Sequence, residues 1–485
     1  MKHAYKAAAL LLCILFCASC GNDAGNVSAQ ESGNTTTETA LQTEDPYIDN
    51  LPADLDLGGY KVRILDGHSF DVEKEDGDIV NDTLYQRNRN IEERLNCTVE
   101  CLDYSGSDVP WDTFQNVVKS SVLAGSDDYD AVSGNAWWAS SLAMQGIMAN
   151  LQDAPHLELD AEWWPTEFLD GFSYKGNRYW LTGSMELAWI YEKMCIFYNE
   201  RLWNTLYDED IYTVVDNGGF TFDFINQVCN EVYQDINGNS KVDEDDRLGY
   251  VIKSDSNVGS YAVGAGVIFA PFDSEGVPYL KFIEDSTRLE SFWEKFVQIR
   301  TNKNVLNIKW AGSDTTIVNL GIFREGNLMF VQGYLSHTTD QLRDMEDDYG
   351  ILPMPKLDEA QENYLQVVSD RVALFGVPIT VSDEGLNAVC AVFEAAAAEG
   401  YSTVIPTYYA DALKNKYIRS EKSIEIIDML SKNPVCDFGM QYYNLGIADF
   451  LKGLSNTSGL ASQLEKQKKT FESKLADMLS ALEEG

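Results

Sequence analysis

The chain has 485 residues, 45% of them hydrophobic, and a formal net charge of −41. A field of that sign repels phosphate backbones, which excludes nucleic acid as a partner. The roughly 430 residues that follow the N-terminal segment exceed what a single core fills, so two domains are expected.

The N-terminus has the pattern of an export signal. Lys2 and Lys6 precede an apolar run, Ala7 to Phe16, that is too short to span a bilayer, and small residues precede Cys20. This pattern resembles a bacterial lipobox, although Cys17 stands where leucine is usual. The resemblance implies that residues 1–20 are removed and that Cys20 is lipidated. The alternative is an ordinary signal peptide with a coincidental cysteine.

Residues 21–50 are rich in Ser, Thr, Asn, Gln and Glu. Such a segment buries too little apolar surface to order itself. We interpret it as a flexible tether that holds a domain near the outer face of the cell membrane. The alternative is a disordered tail without an anchor.

Alternating strand patterns and amphipathic helix patterns follow in turn. Strands are predicted from Leu57 to Leu65, Cys97 to Leu102 and Asp130 to Val132, and helices from Asp78 to Leu95 and Trp111 to Leu123. This order predicts a parallel α/β layer.

Two tryptophans follow the third of these strands. Ligands of open α/β sheets bind beyond the carboxyl ends of the strands, where Trp137 and Trp138 emerge. An aromatic ring there would meet the apolar face of a sugar. The alternative is that both rings only pack a helix N-terminus on the first lobe.

The second half of the chain indicates a second lobe and a return. Cys195 to Asn199 reads as a strand that opens the second lobe, and Tyr349 to Pro355 as a strand crossing back. The predicted organisation is a first lobe at 57–183, a second lobe at 184–348 and a return to the first at 349–398. Helices at 399–485 are assigned mainly to the second lobe.

The six cysteines beyond Cys20 do not form an evident disulfide framework. Cys97 and Cys101 lie four residues apart on a predicted strand, about 13 Å at strand rise, which is too far to bridge. Only three histidines follow residue 20, so a histidine-rich zinc site is not expected.

Several ordered segments resemble the extracellular solute-binding proteins of family 1, the carbohydrate-binding group of ABC importers. The segments are Leu57–Tyr60 with Asn81–Arg94, Phe197–Trp203, Gly350–Pro355, and Val404–Tyr409 through Tyr417. The resemblance implies a type II periplasmic-binding-protein-like fold, in which hinge-connected α/β lobes close on a solute and a permease recognises the closed form. We also expect a monomer that has no catalytic residues and requires no cofactor.

Further candidate ligand contacts flank the two expected crossings. Glu186, Trp189 and Tyr191 precede the strand that opens the second lobe, and Tyr334, Asp370 and Arg371 lie on either side of the return strand. Rings would meet the apolar face of a sugar, and charged groups its hydroxyl rim. The alternatives are core or lobe-surface packing for the first three and surface or inter-lobe salt-bridge roles for the others.

The sharpest local motif runs from residue 235 to 246. Its oxygen-bearing side chains recur at the spacing of a calcium loop, and a backbone carbonyl fills the seventh position: Asp235, Asn237, Asn239, Lys241 (carbonyl), Asp243 and Asp246. The spacing resembles a dockerin-type loop, with Ser240 where glycine is usual. A structural Ca²⁺ is predicted, and the alternative is an acidic surface turn.

Two other functions fit the same composition. A secreted glycoside hydrolase would need two carboxyl groups about 5–10 Å apart, and 77 acidic residues leave that option open. A surface glycan-binding protein without a permease is the third alternative.

Overall fold

The computed structural model describes residues 48–66, 70–103, 111–253, 257–308, 314–410, 421–431, 434–454 and 459–484. The predicted signal segment, Cys20 and nearly all of the tether lie outside the described residues.

The first lobe is built on a four-stranded sheet. Its first part comprises β1 (Tyr60–Leu65), α1 (Ile79–Leu95), β2 (Cys97–Leu102), α2 (Trp111–Ala124), β3 (Ala131–Asn135), α3 (Ala136–Ala143), α4 (Thr166–Asp170) and α5 (Ala188–Tyr191). Strand β1 pairs in parallel with both β2 and β3. The predicted strand–helix–strand order and the parallel layer are therefore confirmed.

Helix α1 shows how local sequence sets these elements. The Asp78 side chain accepts hydrogen bonds from the backbone N–H groups of Val80 and Asn81, which caps the helix start. The helix ends at Leu95. Asn96 caps it with a left-handed φ of 50° and leads directly into β2.

The second lobe is built on a five-stranded mixed sheet. Its elements are β4 (Met194–Asn199), α6 (Glu200–Leu206), α7 (Ile211–Asp216), α8 (Phe222–Val232), β5 (Leu248–Lys253), α9 (Val258–Gly264), α10 (Lys281–Glu284), α11 (Thr287–Arg300), β6 (Leu306–Ile308), α12 (Asp314–Arg324), β7 (Leu328–Tyr334) and β8 (Tyr349–Leu352). The strand order is β6-β5-β7-β4-β8, and β4 pairs antiparallel with both neighbours.

The C-terminal part returns to the sheet of the first lobe and then continues mainly as helices. It comprises β9 (Gln366–Val367), β10 (Ala373–Gly376), α13 (Asp383–Glu399), α14 (Ile405–Thr407), α15 (Glu421–Ser431), β11 (Pro434–Val435), α16 (Phe438–Gln441), α17 (Ile447–Gly453) and α18 (Leu460–Glu484). Strand β8 pairs with β4 inside the second lobe, so it is not the crossing that the sequence suggested. The chain rejoins the first sheet at β10, antiparallel to β3.

Short extended segments lie side by side between the two sheets. Lys193 bridges to Val368, and β9 pairs in parallel with β11. We call this set, Lys193 with 366–368 and 434–435, the hinge ribbon. It joins the lobes because the chain passes through 193 on the way to β4 and through 366–368 on the way back to β10.

Helix α13 forms much of the first-lobe core. A longer helical stretch that contains it, Asp383–Ala410, is long and apolar enough to cross a membrane, but 72% of its most apolar window is buried in the protein. Within α13 the carboxylate of Glu394 accepts hydrogen bonds from the indole N–H groups of Trp163 and Trp164, each at 2.9 Å. We read this stretch as a core helix of a folded domain.

The six described cysteines are all free. Cys97 and Cys101 do not bridge, as their spacing on β2 predicted.

Candidate functional site

One end of the first sheet meets the hinge at the backbone of Trp137. Its N–H donates to the carbonyl oxygen of Asp370 at 3.1 Å. The contact follows from the antiparallel pairing of β10 with β3, in which Ala373 lies opposite Asn135. Two separately predicted residues, one at a strand end and one in the return segment, are thus brought together.

Arg371 connects the hinge with the second lobe. Its guanidinium holds the carboxylate of Glu192 in a bidentate pair, with Nη2–Oε1 at 2.5 Å and Nε–Oε2 at 3.2 Å. The Cζ atom of Arg371 also lies 5.0 Å from the ring centroid of Tyr334, at the end of β7. Because 53% of the arginine side chain is exposed, the pair adds little stability and leaves donors available to a solute.

Tyr334 is a protonated hydroxyl beside this pair. Burial raises its pKa to about 12, against the opposing effect of Arg371. Its backbone N–H donates to Nδ1 of His337 at 3.1 Å. Burial, with Arg371 and Lys253 nearby, lowers the pKa of His337 to about 3, so this imidazole is neutral near pH 7.

The two tryptophans after β3 have different surroundings. Trp137 is half-buried, and its ring lies edge-on to Tyr443 with centroids 5.9 Å apart. Trp138 is 7% exposed and packs against Phe114 at 4.7 Å. A Cβ at Gly134 would lie 1.9 Å from the Trp138 ring, so glycine makes room for it. Trp137 is therefore the more accessible of the two rings.

Three other candidates make their packing contacts with residues outside this group. Trp189 packs on Phe168 at 5.0 Å and, with Lys193, lines a separate cavity of about 570 Å³. Tyr191 packs on Tyr408, with ring centroids 5.3 Å apart. Glu186 is 2% exposed and lies in the interior. We therefore define the cleft cluster as Trp137, Glu192, Tyr334, Asp370 and Arg371.

Glu192 was not among the residues singled out by sequence. It lies directly before the apolar run of β4, which is a weak signal for a residue at the crossing between the lobes. Its pairing with Arg371 could not be predicted, because the two residues are 179 positions apart in the sequence.

Glu186 makes a prediction about stability and pH. Its carboxyl accepts hydrogen bonds from Thr182 Oγ1 at 3.0 Å and Ala188 N at 2.5 Å, and burial raises its pKa to about 8. The folded state therefore binds this proton more tightly than the unfolded state, so its contribution to the free energy of unfolding falls as pH rises from about 4.5 to 8.

We expect the free energy of unfolding of Glu186→Gln, relative to that of wild type, to increase by roughly 3 kcal/mol between pH 5 and pH 8. Urea unfolding at both pH values measures this difference, and exposed Glu93→Gln is the control. An unchanged difference at the two pH values would contradict the ionisation assigned to Glu186.

The 235–246 loop adopts several features that the calcium motif requires. The Asp235 carboxylate accepts from the backbone N–H groups of Gly238 and Ser240 at 2.6 and 2.9 Å. Ser240 has a φ of 58°, so it takes the left-handed conformation that glycine usually supplies. The Asp246 residue is fully buried, and its carboxylate accepts from Ile236 N at 3.1 Å.

The metal ligands themselves are not drawn together. In the described part of the chain, no three His, Cys, Asp or Glu side chains converge in a way that could hold a metal ion. The Asp243 carboxylate instead accepts from the amide groups of Asn237 and Asn239. The calcium site remains a prediction.

Comparison with known proteins adds evidence at the level of fold. No protein-family model matches the chain, and no curated protein matches its sequence. Solved structures do match it. The galacto-N-biose-/lacto-N-biose I-binding protein of an ABC transporter from Bifidobacterium longum, in complex with lacto-N-biose, aligns with a TM-score of 0.57 at 10% identity. The alignment covers 87% of this chain and 98% of that one.

Two further structures give the same result. An ABC substrate-binding protein from Listeria monocytogenes in complex with cycloalternan aligns with a TM-score of 0.54 at 12% identity, covering 86% of this chain and 99% of that one. UgpB from Mycobacterium tuberculosis in complex with glycerophosphocholine also aligns with a TM-score of 0.54, at 13% identity. That alignment covers 87% of this chain and 100% of that one. The chain thus has the two-lobed fold of substrate-binding proteins, and the predicted fold class is confirmed.

Proposed function

We propose that the chain is the substrate-binding protein of an ABC importer and that it binds a sugar or oligosaccharide between its lobes. The observation that carries the proposal is the cleft cluster. In it Arg371 pairs with Glu192 and lies over the ring of Tyr334, and the backbone of Trp137 is hydrogen-bonded to that of Asp370, so groups from both lobes and the hinge meet in one region. This combination matches the apolar faces and hydroxyl rims of sugars. The sugar ligands of two of the structurally similar proteins support the same class of solute.

The mechanism follows from where these groups lie. Trp137 belongs to the first lobe, Tyr334 to the second, and Glu192 and Arg371 to the connections between them. A solute that touches all of them binds the closed arrangement better than the open one and so shifts the population toward closure. The solute leaves chemically unchanged, and the closed form is what a permease would recognise.

The N-terminal segment completes the proposal. Lipidation of Cys20 and a flexible tether over residues 21–50 would hold the lobes at the outer face of the cell membrane, near the permease. This part of the proposal rests on the sequence pattern alone.

Incubation of the purified protein with oligosaccharides tests the function. We expect a matching sugar to raise the melting temperature, by an amount equivalent to about 2.7 kcal/mol at a hundred times its Kd, and to be recovered intact by chromatography. New reducing ends would instead identify a glycoside hydrolase and contradict the proposal.

We also propose that the 235–246 loop binds a structural Ca²⁺. Adding CaCl₂ to protein treated with EGTA is expected to raise the melting temperature, because the ion binds only the folded loop. Asp243→Ala should abolish the rise, whereas Glu244→Gln, an exposed neighbour outside the predicted ligand set, should keep it. An equal response of both variants would contradict the site.

A further inference from the structure

A small cavity lies between the hinge ribbon, α9 and α16. Its volume is about 40 Å³, and its lining includes Ser260, Val367, Asp370 and Gln441. One water occupies about 10–15 Å³ of such volume, so the cavity holds a substituent of a few heavy atoms and not a sugar ring. Asp370 belongs to both the cavity and the cleft cluster, so the cavity adjoins the proposed solute site.

Gln441, which lines this cavity, has a side-chain acceptor that is not used. The residue is 6% exposed, and its Oε1 atom is buried without a hydrogen-bond partner among the described residues. Its backbone is fixed, because its N–H donates to Asp437 O and its carbonyl accepts from Ser140 Oγ, both at 3.0 Å. A buried acceptor left unpaired costs about 1–3 kcal/mol, which a donor in the cavity would recover.

Asp370 supplies a second acceptor. Among the described residues its carboxylate has no salt bridge, and the one hydrogen bond it makes with a side chain is with Ser369 Oγ at 3.5 Å. The neighbouring Arg371 is engaged by Glu192. The other carboxylate that lines the cavity, Asp437, already accepts from backbone N–H groups, including that of Phe269 at 2.7 Å.

We propose that this cavity receives one hydrogen-bond-donating substituent of the solute, a hydroxyl or an ammonium group, which donates to Gln441 Oε1 and to Asp370. The inference rests on the proposed function, since it places the solute in the adjoining cleft. It narrows the solute class to a neutral or amino sugar, because a carboxylate or phosphate would face two acceptors there.

The test is a thermal-shift screen of neutral, glucosamine-containing and uronate oligosaccharides, followed by calorimetry on the tightest binder. We expect that binder to be a neutral or a glucosamine-containing sugar. Gln441→Leu should weaken its binding by about tenfold or more, since the lost hydrogen bond is buried. Gln441→Glu separates the two donors, because only an ammonium group neutralises the introduced carboxylate, so binding of a glucosamine-containing sugar should strengthen far more than that of a neutral sugar.

Controls separate this inference from the function itself. Gln441→Leu removes an unpaired polar atom, so its unliganded melting temperature should equal or exceed that of wild type, and exposed Gln227→Leu should bind normally. If Gln441→Leu binds the sugar as tightly as wild type while Trp137→Ala binds it more weakly, the proposed donor site in the cavity is wrong but the proposed function stands. Preferred binding of uronates would have the same meaning. Failure of wild type to bind any oligosaccharide would overturn the proposed function as well.

Discussion

Trp137→Ala is expected to weaken binding of the cognate sugar by roughly a hundredfold, the largest effect of any single change in the cleft cluster. The ring is half-buried, its backbone is held by Asp370, and Tyr443 supports its edge. An aromatic platform fixed in this way contributes apolar contact with little loss of side-chain entropy. Isothermal calorimetry measures the change in Kd.

Tyr401→Ala is the matched control for this variant. Tyr401 is 38% exposed, and it lines the 570 Å³ cavity, which does not contain any residue of the cleft cluster. Equal affinities for wild type, Tyr401→Ala and Trp137→Ala would show that the solute does not stack on Trp137.

Glu394→Ala is expected to lower the free energy of unfolding by roughly 4 kcal/mol. The carboxylate is fully buried and accepts from the indole N–H groups of Trp163 and Trp164 and from the backbone N–H of Glu158. Removing it leaves three donors without an acceptor and opens a gap in the first-lobe core. Urea unfolding followed by tryptophan fluorescence measures the loss.

Glu384→Ala provides the reference on the same helix. Glu384 is exposed in the first turn of α13, so its replacement should change stability by no more than about 0.5 kcal/mol. Similar unfolding midpoints for the two variants would show that the indole contacts do not stabilise the lobe.

The secondary structure of the first lobe could be predicted because its signals are local. Alternation from Tyr60 to Leu65 and the capped amphipathic pattern of α1 are readable within a few residues. The sheet to which Tyr349–Leu352 belongs could not be predicted from local sequence. The sequence shows a strand there, but its pairing with β4 places it in the second sheet.

The candidate site was predictable only in pieces. Trp137, Tyr334, Asp370 and Arg371 could be named as residues near strand ends. The proximity of Trp137 to Asp370, however, depends on β10 pairing with β3, and that of Tyr334 to Arg371 depends on how the second sheet meets the hinge. The side chains of Trp189 and Tyr191 are oriented by helix α5. With only four residues, this helix is too short to show a helical period in the sequence.

The buried free thiols offer a practical consequence. Cys195 in the second lobe and Cys390 in the first are completely shielded from water, and burial raises the pKa of both. Alkylating reagents attack only the exposed thiolate. The rates of alkylation at the two sulfurs would therefore report how often the core of each lobe unfolds locally. Each lobe could be followed separately in one unlabelled protein.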